Sequence, residues 1–192
     1  NWKIFWENYN ECLHCPSIHK SLIKLVPLYK RGIMEPEDDH NWRDHIDSDD
    51  PKLAGGMRKG AHSWTSEGQP VAPTFPGLNE KEIKIAYNFL DLLPTVFIVG
   101  HVDYLRIVRV VPKGPEQTEI LIEWLFLPET LEDPEADITP AIELATTVLL
   151  EDAYAAELTQ KGMRCIAHDH GTLMPEEYSV LDFNKWVLDQ LK

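Results

Sequence analysis

Three runs in the middle of the chain alternate between apolar and polar residues with a period of two. Thr95–Val102 is dense in β-branched residues, and Tyr104–Val111 alternates around Arg106 and Arg109. Glu119–Leu127 carries Ile120, Ile122, Trp124 and Phe126 in strict alternation. Pro112-Lys113-Gly114-Pro115 is a turn between the second and third runs, so the three predict an antiparallel meander. Beyond an acidic, loop-like Pro128–Pro140 the period becomes helical, and a long helix is predicted over Ala141–Gly162, ending at a glycine. Asn1–Leu25 reads as strand or extended chain entering a helix, with Asn8, Glu11, His14 and Ile18 at helical spacing. Met34–Lys59 and Val71–Leu78 read as loops, the first with solvated His40 and His45, and Gly60–Thr65 as a short strand. The tail predicts a loop at His168-Asp169-His170-Gly171 and a short helix carrying Phe183, Trp186, Val187 and Leu191. A sheet with one long helix laid over it is an α+β arrangement, expected here as a single domain.

Composition narrows the possible partners. A net charge of −14 argues against nucleic acid and anionic membranes, whose phosphates need Lys and Arg. No apolar run approaches the ~20 residues that span a bilayer. Three cysteines are too few and odd in number for a disulfide framework, so a reducing cytoplasm is the expected location, with Cys12 and Cys15 packing around a helix. The chain opens at Asn1 in helix-like sequence and is expected to be one part of a longer polypeptide.

Along the long helix the inward stripe runs Ala141, Leu144, Ala145, Val148, Leu149, Asp152, Ala155, Ala156, Thr159. Asp152 stands where an apolar residue belongs. A buried carboxylate is paired, hydrogen-bonded or bound to metal. Glu151 lies about 100° round the helix, so periodicity selects Asp152 over its neighbour. A buried ion pair with Arg106 or Arg109 would satisfy it equally well.

The metal reading draws on Glu7–His19, which holds two histidines, two carboxylates and two cysteines. His14 and His19 would face roughly 140° apart on one regular helix, but Pro16 breaks the helix and lets both rings turn to one point. With Asp152 they form a set of two histidines and one carboxylate, suited to ferrous iron with open positions. The rivals fit less well. No His-Glu-x-x-His is present for a zinc protease. Cys12-Leu13-His14-Cys15 has no second cysteine pair for a zinc ribbon, and Pro16 stands where a c-type haem needs histidine. Cys12-x-His14 and Cys165-x-x-His168 imitate the halves of a Rieske [2Fe–2S] site, but the whole sheet separates them.

Asn1-Trp2-Lys3, Glu7-Asn8-Tyr9, Glu11-Cys12-Leu13-His14 and His19, followed by Glu151-Asp152 with Gln160 and Gly162, resemble the catalytic domain of Rieske-type non-haem iron ring-hydroxylating oxygenase alpha subunits. Glu11-Cys12-Leu13-His14-Cys15 resembles the branch of glycine-betaine demethylase and other quaternary-ammonium oxygenases, although Leu13 stands where that branch commonly has tyrosine. The resemblance implies a helix-grip fold, a curved antiparallel sheet wrapped around the long helix. It implies a mononuclear Fe(II) held by His14, His19 and Asp152, with Asn8 near the metal. Glu11 would link the iron to a Rieske [2Fe–2S] cluster on the neighbouring subunit of a homotrimer, in a domain expected before residue 1. The implied activity uses O2 and NAD(P)H-derived electrons, delivered by a reductase or ferredoxin. It hydroxylates an aromatic ring, or N-demethylates or hydroxylates a small organic substrate. Pocket candidates are His62, Trp64, Phe89, Phe97 and His101. The alternative is a non-catalytic helix-grip module for a hydrophobic ligand, against which the metal-binding trio argues.

Overall fold

The computed structural model describes residues 1–35, 38 and 57–192, so the expectations for His40 and His45 fall outside the described residues. The chain enters directly as helix α1 (Trp2–Tyr9), not as extended chain. The reason is its cap: the Asn1 side chain accepts a hydrogen bond from the Ile4 N–H at 3.0 Å, and Ile4, Phe5 and Trp6 are buried. Helix α1 stops at Asn10, whose backbone N–H and side-chain amide both donate to the Trp6 carbonyl. Pro16 therefore does not kink a continuous helix. It sits in the first turn of a new one-turn helix, α2 (Cys15–Ile18), where its missing N–H costs nothing. A further turn, α3 (Leu22–Leu25), and a 3-10 turn at Pro27–Arg31 follow.

The sheet has four antiparallel strands in the order β1 (Tyr87–Leu92), β2 (Val96–His101), β3 (Leu105–Gly114) and β4 (Gln117–Leu125). The last three are the predicted meander, with bounds shifted by one to three residues and a register shift at Pro112/Gly114. Strand β1 was not anticipated. It follows α4 (Glu80–Ile85), which Asn79 and Glu82 cap reciprocally. Gly60–Thr65 forms bends instead of a strand, because the His62 and Ser63 amides both turn back to the Gly68 carbonyl. Gly68 has φ +82°, and a Cβ there would lie 2.7 Å from that of Ala61, so the turn requires glycine.

A short helix α5 (Pro128–Glu132) interrupts the acidic stretch read as loop. The long helix α6 spans Thr139–Gly162, buries Ala141, Leu144 and Ala145, and leaves Thr159 exposed. Helix α1 touches both α6 and β3, so it lies between the sheet and the long helix. Helix α7 (Tyr178–Gln190) buries Val180 and Phe183, and Phe183 meets Trp2 and Trp6. One apolar cluster gathers Leu22, Leu25, Leu28, Trp64 and Leu144, and a second gathers Phe5, Trp6, Phe97, Val99 and Val108. The architecture is α+β. Among the described residues no helix is long and apolar enough to cross a membrane.

Candidate metal centre

The break between α1 and α2 turns His14 and His19 towards α6. His14 Nε2 lies 3.0 Å from His19 Nε2. Asp152 Oδ1 lies 3.0 Å from His19 Nε2 and 3.3 Å from His14 Nε2. Donors on adjacent octahedral positions with bonds of ~2.1 Å are about 3.0 Å apart, so this triangle has the size of three facial positions around one divalent ion. The donor chemistry, two imidazole nitrogens and a carboxylate oxygen, also fits such an ion.

Carboxylates hold the far side of both rings. His14 Nδ1 is 2.5 Å from Glu11 Oε1, and His19 Nδ1 is 2.9 Å from Glu151 Oε2. With each Nδ1–H donated to a carboxylate, a neutral ring would carry its lone pair on Nε2, facing Asp152. Asn8 Nδ2 donates to Asp152 Oδ1 at 2.8 Å and fixes that oxygen within the triangle. Glu11 Oε2 also accepts from the Leu13 amide, which shapes the turn entering α2.

Three acceptors aimed at one point favour a positive charge there. Burial pulls the His14 pKa down, but hydrogen bonds with Asp152 and Glu11 outweigh it and raise the group to about 9. His19 is likewise raised by Asp152 and Glu151 against burial. Asp152 is pushed up by burial, yet its bonds to His14, His19 and Asn8 bring it down to about 2. The alternative partner for Asp152 is not used. Arg106 makes no ion pair with it among the described residues, and Arg109 pairs with Glu123 on the exposed face at 3.0 Å.

Cys15 Sγ approaches His14 Nε2 to 3.9 Å, and with His14 and His19 it could complete a metal site. Its sulfur is already bonded to Cys12 in a disulfide. That pairing overturns the reading of Cys12 and Cys15 as packed thiols and of a chain without disulfides. The break after α1 brings the two Cα atoms to 5.0 Å, well within bonding range. Cys165 is free and exposed on the tail, so the two imitated halves of a cluster site do not come together.

The pocket candidates separate. His62 is exposed, because its segment bends outward instead of forming a strand. Phe97 lies in the core, 4.2 Å from the Tyr9 ring. Trp64, Phe89 and His101 do gather: Trp64 lies 6.0 Å from Phe89 and 5.5 Å from His101, with Tyr87 at 4.9 Å. Tyr87 escaped sequence reading because its strand did. Glu151 escaped because it lies off the apolar stripe, although its adjacency to Asp152 was a signal.

Two histidines and an aspartate thus converge beside a sheet that carries helices, an arrangement with the donor set for one divalent ion. The chain belongs to the family of ring hydroxylating alpha subunits, catalytic domain, whose model matches residues 1–192. It is similar to the glycine betaine monooxygenase oxygenase subunit of Chromohalobacter salexigens, 25% identical over 100% of this chain and 47% of that protein. It also resembles the glycine betaine monooxygenase oxygenase subunit of Pseudomonas aeruginosa, 23% identical over 100% of this chain and 49% of the relative. The chloroplastic choline monooxygenase of Arabidopsis thaliana is 25% identical over 89% of this chain and 35% of its own length. The chain thus spans about half the length, or less, of the curated relatives it matches.

Proposed function

We propose that this chain is the mononuclear-iron domain of an oxygenase that hydroxylates, and so demethylates, a small N-methylated substrate. The observation that carries the reading is the triangle of 3.0, 3.0 and 3.3 Å among His14 Nε2, His19 Nε2 and Asp152 Oδ1. These three residues would hold Fe(II), which when bound supplies the dioxygen activation that inserts oxygen into a C–H bond. The rest is done by the chain. Glu11 and Glu151 lock the ring tautomers, Asn8 orients Asp152, and Trp64, Tyr87 and Phe89 gather into an aromatic wall. Such a wall also suits a quaternary ammonium, held by cation–π attraction, in keeping with the names of the relatives.

Glu11 is read as the exit of an electron path from a Rieske [2Fe–2S] cluster on a neighbouring subunit of a homotrimer, fed by a reductase or ferredoxin. The cluster would lie outside residues 1–192. The sheet and α6 are read as a helix-grip fold with α1 inserted between them. Metal analysis of the protein purified without oxygen tests the reading: one iron per chain is expected, and none in Asp152→Ala. Wild-type protein that holds no iron under those conditions would sink it.

A further inference from the structure

Arg106 is only 6% exposed, its guanidinium makes no hydrogen bond and no ion pair among the described residues, and its Nε is a buried donor without a partner. An unpaired buried guanidinium is among the most unfavourable groups a core can hold. Strand periodicity explains how it comes to be there. Arg106, Val108 and Val110 point inward, while Arg109 points out and finds Glu123. Periodicity does not explain why an arginine occupies this position.

Its surroundings supply the reason. In the sheet register Arg106 stands between Val99 on β2 and Trp124 on β4, with His101 diagonally next on β2. His101 is 4% exposed, and neither ring nitrogen has a partner. Trp124 Nε1 and Trp64 Nε1 are also buried and unpartnered, and Trp64 lies 5.5 Å from the His101 ring. Burial and the adjacent Arg106 charge keep His101 neutral, with its pKa well below the usual value, so one of its nitrogens is a donor. Native interiors satisfy nearly every buried polar group. Arg106 Nε, Trp124 Nε1, Trp64 Nε1 and one nitrogen of His101 are unmatched N–H donors, and an anionic acceptor would match them.

Helix α1, which carries Asn8 to Asp152, packs on β3, the strand of Arg106, and the Asp152 carboxylate favours the charged guanidinium against burial. The two make no ion pair among the described residues. Asp152 Oδ1 is taken by Asn8, His14 and His19, and a divalent cation on the triad would offset its charge.

We propose that Arg106, with His101 beside it, is a carboxylate receptor on the inner face of the sheet, and that it selects substrates bearing a carboxylate at the end remote from the reacting carbon. The assignment of the bound molecule as substrate rests on the oxygenase reading above. A carboxylate accepts two parallel hydrogen bonds from a guanidinium, which a hydroxyl cannot do.

The test uses the full-length, iron-loaded protein and four probes of nearly one shape: glycine betaine, choline, 3,3-dimethylbutyrate and 3,3-dimethylbutanol. By titration calorimetry the two carboxylates should bind at least about tenfold more tightly than the corresponding alcohols. Arg106→Met should abolish that preference and melt at or above the wild-type temperature, since it removes an unpaired buried charge. Arg106→Lys should remain folded with the preference weakened. Equal binding of carboxylates and alcohols by the wild type would overturn the receptor, as would an R106M variant that keeps the preference or melts well below wild type. Turnover of choline with no carboxylate preference would sink the receptor and spare the oxygenase reading. Arg106-dependent carboxylate binding without turnover of any N-methyl compound would do the reverse.

Discussion

Glu151 and Asp152, neighbours in sequence, hold opposite nitrogens of the one ring of His19: Glu151 Oε2 is 2.9 Å from Nδ1 and Asp152 Oδ1 is 3.0 Å from Nε2. Two adjacent residues on one helix thereby set both the orientation of the imidazole and the donor it shares a triangle with. Glu151→Ala should weaken iron retention by about 10- to 100-fold, the usual scale for a lost ligand-orienting partner. Glu151→Gln, whose amide oxygen still accepts from Nδ1–H, should lose less. Chelator competition measures both, and an alanine variant with wild-type affinity would remove Glu151 from the site.

Asp152→Ala should lose iron and turnover together, because it removes the carboxylate donor. Cys15→Ser should retain iron at the wild-type level, since the Cys15 sulfur is bonded to Cys12 and is not available to a metal. Iron content by elemental analysis decides. Iron retained without Asp152, or lost without Cys15, would reassign the third donor.

Glu11 accepts at His14 Nδ1 and lies 12% exposed, at the edge of the site. Glu11→Gln should leave iron bound while slowing its reduction in the assembled enzyme. Rapid-mixing kinetics with the reduced electron donor reads this, and an unaltered rate would refute the bridging role.

His101 carries a pH signature. Its folded-state pKa is depressed by burial and by Arg106, while in the unfolded chain it titrates near 6.5. As pH falls below 6.5 the unfolded chain takes up a proton that the folded chain refuses, so stability falls by up to about 1.4 kcal/mol per pH unit. Denaturant melts between pH 7 and 5 should show this slope in the wild type and a shallower one in His101→Phe. Identical slopes would mean that His101 titrates normally.

Asp103 ties the β2–β3 connection to the bends around Trp64. Its carboxylate accepts from Ser63 Oγ at 2.5 Å and from the Val71 amide at 2.8 Å, and the residue is fully buried. Asp103→Ala strands both donors and should cost on the order of 3 kcal/mol in chemical denaturation. A loss under about 0.5 kcal/mol, the scale of a surface change, would show the network to be dispensable.

Local order was written in the chain. Strands β2 to β4 announce themselves by period two and α6 by its helical stripe, and Asp152 stands out because it interrupts that stripe. Strand β1 did not, because Tyr87-Asn88-Phe89-Leu90-Asp91-Leu92 carries apolar residues on both faces, with Leu90 and Leu92 exposed. The helical start at Trp2 turned on the Asn1 cap, and the role of Pro16 on the stop at Asn10. Periodicity reports which face of its own element a residue occupies, and nothing about the element opposite. Packing alone brought Asn8 to Asp152 across 144 residues, set Glu151 behind His19 and left Arg106 without an anion. Those relationships decide the chemistry, and they exist only once distant faces have closed on one another.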